Sequence, residues 1–67
     1  MTNQHLTVWQ HVTAEFSGRP LSGSYAIEDG MVKVKTTNGE KAAHIGSFNP
    51  GWVARRLLQE LAEEGKA

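Results

Sequence analysis

No cysteine occurs among the 67 residues, which excludes disulfides and every thiolate metal or redox centre. Charge of one sign is lacking too. Seven Lys and Arg balance seven Asp and Glu, so the basic excess that supplies most of a general nucleic-acid binder's affinity is missing. No apolar run approaches the roughly 20 residues that span a bilayer, and no membrane partner is expected. The opening Met1-Thr2-Asn3-Gln4-His5 has no basic stretch followed by an apolar core, so no secretory signal is expected and the chain is placed in the cytoplasm.

The length allows one domain, 1–67, with about 1–5 and 65–67 expected to fray. A chain this short buries a small share of its surface and has a thin stability margin. Small scaffolds usually compensate with disulfides, a structural metal or association. With disulfides excluded, a homodimer is the simplest remaining device, and zero net charge favours it by removing mutual repulsion.

What is present reads as an α+β fold, an antiparallel β-meander of three to four strands packed on one C-terminal α-helix. Asn49 suits an N-cap and Pro50 a first helical residue. Val53, Ala54, Leu57, Leu58, Leu61 and Ala62 then recur at helical spacing, and Gly65 suits the residue after the end, which predicts a helix from about Pro50 to Glu64. Glu63 and Glu64 sit against the helix dipole. Asp29-Gly30 and Asn38-Gly39 are both signals for type I′ hairpins. They separate Ser24–Glu28, Met31–Thr36 and Lys41–Ile45, three consecutive antiparallel strands.

Residues 6 to 16 read two ways. Val8, Val12, Ala14 and Phe16 share one strand parity leading into a turn at Ser17-Gly18-Arg19-Pro20, whereas Leu6, Trp9, Val12 and Phe16 suit a helical face. The β-branched Thr7, Val8, Val12 and Thr13 favour the strand. The sheet's inner face is then Val12, Ala14, Phe16, Leu21, Tyr25, Ile27, Val32, Val34 and Ile45, covered by the helix. His11, Thr13, Glu15, Ser22, Ser24, Lys33, Lys35 and His44 form a polar outer face.

Chemistry-bearing patterns are few. His5, His11 and His44 have no metal-ligand spacing, so no metal site and no cofactor are expected. No serine sits in a Gly-x-Ser-x-Gly elbow, and the carboxylate pairs Glu28-Asp29 and Glu63-Glu64 fall at a turn and a helix end. No catalytic residue is assigned, and the protein is read as a non-enzyme. Gly46-Ser47-Phe48-Asn49-Pro50-Gly51 lacks the spacing and lysine of a P-loop and reads as a capped connector, with Phe48 packing back on Val53 or Trp52.

Trp9 and Trp52 cap the ends of a small core or anchor an interface, where tryptophan is enriched. The candidate interaction surface is therefore Trp9, His11, Lys33, Lys35, His44 and Trp52. Lys33 and Lys35 should lie on the opposite side of the domain from Arg55 and Arg56, and the two pairs should not merge.

The stretch from Gly23 to Val34, with His44-Ile45-Gly46 and Ala54 to Ala62, resembles small uncharacterised proteobacterial proteins. The resemblance covers about two thirds of the chain, at turns, strand valines and a leucine stripe. It implies a bacterial origin and the same sheet-plus-helix shape, and transfers no functional residue. The expectation is a protein-interaction or accessory module that self-associates or binds an unknown protein, with nucleic-acid binding through the outer sheet face as the alternative.

Overall fold

Two tight turns set the topology. Ser17-Gly18 and Asp29-Gly30 all have positive φ, between 53° and 76°, the backbone of type I′ turns whose twist matches the strands they join. In the computed structural model, which describes residues 7–67, they link β1 (Gln10–Phe16), β2 (Arg19–Glu28) and β3 (Met31–Lys35). β4 (Glu40–His44) follows, and α1 (Pro50–Glu63) closes the fold. The sheet is antiparallel throughout, in the order β1-β2-β3-β4. The expected meander and covering helix are both present. The frayed segment expected over 1–5, the candidate ligand His5 and the expected start of the first element at Leu6 lie outside the described residues.

β1 is a strand, as Val12 and Thr13 favour, but it starts at Gln10, and Thr7, Val8 and Trp9, expected within it, precede it. The turn after it is tighter than Ser17–Pro20, because Arg19 already pairs with Phe16. Asn38-Gly39 is not a type I′ turn. Four residues, Thr36 to Gly39, connect β3 to β4, and neither Asn38 nor Gly39 has positive φ. The Thr36 hydroxyl accepts from the Asn38 and Gly39 N–H groups, and the Thr36 N–H donates to the Gly39 carbonyl at 2.8 Å. A threonine side chain thus supplies the turn that the dipeptide alone would have made.

Asn49 caps α1, its Oδ1 accepting from the N–H groups of Gly51 (2.8 Å) and Trp52 (3.2 Å), and Pro50 opens the helix. Such a cap contributes about 1 kcal/mol. At the other end the Gly65 N–H donates to Ala62 and the Lys66 N–H to Leu61, the paired bonds of a Schellman motif with Gly65 left-handed at φ 77°. Residues 65–67, expected to fray, are tied to two of the three hairpins, β3–β4 and β1–β2. Thr36 Oγ1 donates to the Lys66 carbonyl, and the Arg19 guanidinium donates to the Ala67 carbonyl at 3.2 Å. Glu64, badly placed for the helix dipole, pairs with Lys41 of β4 and with Lys66. The hydrogen bond from Lys41 holds the Glu64 carboxyl below its ordinary range.

The core lies between the sheet's inner face and the helix stripe. Val12, Leu21, Val32 and Val34 meet Val53, Ala54, Leu57, Leu58, Leu61 and Ala62, with Ala14, Phe16, Tyr25, Ala43 and Ile45 packed at the margin. Ile27, expected inside, is 46 % exposed. Its β3 partner Val32 is fully buried, so the helix layer reaches β3 at this level and stops short of the last residues of β2. Ala26, on the opposite parity, is buried instead. One step beyond the Gln10–Tyr25 pair, the register brings Trp9 opposite Ala26, with Lys33 paired to Ala26 on its other side.

Candidate interaction surface

Strand parity gathers five of the six candidate residues on one face. His11, Lys33, Lys35 and His44 project from the sheet side that α1 does not cover, and Trp9 continues the parity of His11. Two cross-strand rows organise that face. One runs His11, Ser24, Lys35, Glu40, and the next runs Ala26, Lys33, Ala42, with Trp9 at its open end. Lys35 Nζ stands 4.4 Å from the centre of the Trp9 ring, a cation–π contact that pins the indole on the sheet surface. Lys33 Nζ donates to Glu28 Oε1 at 2.7 Å. This hydrogen bond and the carboxylate charge raise Lys33 above the ordinary lysine range. The face thus carries no basic excess, with three glutamates, Glu15, Glu28 and Glu40, set among its two lysines.

Trp52 belongs elsewhere. It lies off the buried stripe on the solvent side of α1, where Phe48 stacks on it with ring centroids 5.2 Å apart and planes at 25°. Arg56, one turn on, holds its guanidinium 5.9 Å from the ring centre. The expected packing of Phe48 against Trp52 is present, but it covers neither ring. Arg55 and Arg56 are separated from Lys33 and Lys35 by the thickness of the domain, as their elements require.

The exposed large apolar side chains lie toward one end of the domain, on different sides of it: Trp9 on the outer sheet face, Phe48 and Trp52 on the solvent side of α1. Val8 is 69 % exposed, Trp9 39 %, Ile27 46 %, Phe48 60 % and Trp52 45 %. Ile27 adjoins the Asp29-Gly30 turn, and register places Val8 opposite it on the inner face. The connector carrying Phe48 is tied to that turn, because the Ile45 N–H donates to the Gly30 carbonyl and the Phe48 N–H to the Ile45 carbonyl. The opposite end, with both other turns and the C-terminal residues, is polar and cross-linked by the Thr36, Arg19 and Lys41 contacts. Sequence reasoning took Ile27 as core and did not single out Val8 or Phe48 as surface. The hairpin registers carried the missing signal, since they align Val8 with Ile27 beyond the start of the helix.

Among the described residues no group of three His, Asp or Glu side chains is close enough to share a metal ion, and no helix is long and apolar enough to cross a membrane. Compared with known protein families, with curated proteins and with solved structures, the chain finds no match.

Proposed function

We infer that this is a non-enzymatic interaction module that docks another protein through its apolar end. The observation that carries the reading is that the exposed large apolar residues Val8, Trp9, Ile27, Phe48 and Trp52 all fall toward that end, with Phe48 and Trp52 stacked on one another. Scattered single apolar residues are ordinary on a protein surface, but a cluster of them with polar surroundings marks an interaction site. Tryptophans with arginine or lysine against the ring are the anchor chemistry of interfaces. In this reading the protein is a small bacterial accessory factor of the cytoplasm.

A photo-crosslinking phenylalanine analogue replacing Phe48, compared with the same analogue replacing Thr37 at the polar end, tests the reading in the native cell. Discrete adducts are expected from position 48 alone. Equal labelling from both positions, or none from position 48, would reject it.

A second reading rests on the outer sheet face, where Trp9, His11, Lys33, Lys35 and His44 converge. An exposed aromatic beside lysines is the element from which single-stranded nucleic-acid platforms are built. Glu15, Glu28 and Glu40 on the same face weigh against it. Titration of labelled single- and double-stranded oligonucleotides at low and high salt decides. Binding that weakens with salt supports this reading, and flat curves at low salt remove it.

A further inference from the structure

The outer edge of β1 has a register that fits itself. Pro20 has no N–H, so Glu15 opposite it is a non-hydrogen-bonded pair. Alternation along the ladder then turns the N–H and C=O groups of His11, Thr13 and Glu15 away from β2, toward the open edge. An independent contact agrees: the Glu15 carbonyl accepts from Gln59 Nε2 at 3.0 Å rather than from β2, a contact that the long Gln59 side chain gives up or shares when a strand pairs there. Among the described residues no strand pairs with this edge.

We propose that a second copy of this chain pairs with it, β1 to β1 and antiparallel, about a two-fold axis through Thr13. The edge-facing residues of each copy then fall opposite edge-facing residues of the other. Thr13 faces Thr13, and His11 of each copy faces Glu15 of the other. The Thr13 pair and the two His11–Glu15 pairs lie on the outer face, where threonine pairs and a hydrogen-bonding imidazole opposite a carboxylate suit an antiparallel ladder. A slip by one residue would set edge-facing groups against groups already bonded to β2, so the hydrogen bonds allow only even shifts, and centring on Thr13 keeps the two Glu15 carboxylates apart.

β4 is the other open edge, and Glu40, Ala42 and His44 could align in the same manner. It is five residues long with no β-branched side chain, against seven in β1 with Val12 and Thr13 at its centre.

This pairing goes beyond the apolar end, since Phe48 and Trp52 play no part in it and stay free for another partner. The natural absence of cysteine makes the test clean. Thr13→Cys and Ala42→Cys each create a single thiol, and both positions are exposed. Under mild oxidation at high protein concentration, Thr13→Cys should form a disulfide-linked dimer while Ala42→Cys stays largely monomeric. Directly opposed strand residues lie within disulfide reach.

Light scattering across a wide concentration range gives the second arm. His11→Glu and Glu15→Lys should each weaken the dimer, by about tenfold for the two symmetry-related pairs, and the double variant should recover most of the loss. A strict monomer at every concentration, preferential crosslinking through Ala42→Cys, or equal crosslinking at both positions would overturn the proposal. So would a double variant no better than the single ones. Crosslinking from position 48 to another protein reads the apolar end separately, so either idea can fail alone.

Discussion

Leu58→Ala should remove a large part, about half, of the protein's stability. Leu58 is fully buried at the centre of the helix stripe, and its Cδ1 lies against Gly23 of β2. Truncating a buried leucine costs about 2–5 kcal/mol through lost transfer energy and the cavity left behind. A domain of this length is stable by only about 3–10 kcal/mol in total. The expected drop in Tm is about 10–30 °C, followed by circular dichroism, and at the upper end the variant is unfolded at room temperature. A loss below about 1 kcal/mol in a urea titration would mean that helix and sheet are not packed on one another as described.

Gly23→Ala should destabilise as well, against the usual sign. Alanine in place of glycine inside a strand ordinarily gains about 0.5–1 kcal/mol. Here an added Cβ would stand 2.8 Å from the Lys35 carbonyl oxygen, 3.3 Å from Thr36 Cγ2 and 3.4 Å from Leu58 Cδ1. The nearest atom is backbone in the neighbouring strand, fixed by the Ser24–Lys35 pair, so it cannot swing aside as a side chain would. Overpacking of this kind costs about 1–3 kcal/mol. Thermal melts of the variant and the parent give the sign directly, and an unchanged or higher Tm would show that β2 and β3 separate more easily than their register implies.

Elements governed by local rules were legible in the sequence. Asn49-Pro50 and the leucine stripe marked α1 to within a residue, and Asp29-Gly30 marked its turn, because capping and positive φ depend on one or two neighbours. The outer-face parity of His11, Lys33, Lys35 and His44 also follows from alternation alone. Asn38-Gly39 misled because a threonine hydroxyl two residues earlier offered the backbone a competing set of bonds. Ile27 misled for a different reason. Its parity is inward, but burial there depends on how far the helix extends over β2, a property of the assembled layers. The apolar end is of this second kind. Val8, Ile27 and Phe48 are far apart in the chain, and only the two hairpin registers and the Ile45–Gly30 bond bring them together.

The order of the elements has a consequence for synthesis. The inner face of the sheet, with Val32 and Val34 fully buried, has a single covering layer, and that layer is α1, translated after all four strands. Until α1 follows them, the four strands hold an apolar face with nothing to shield it. An isolated hairpin is marginal in water, and packing against the helix adds the stability that a hairpin lacks. The contacts of Lys66 with Thr36 and of Ala67 with Arg19 then hold the β3–β4 and β1–β2 hairpins to the end of the helix. The interval before the helix docks is therefore when the strands are most exposed to aggregation and to chaperone capture.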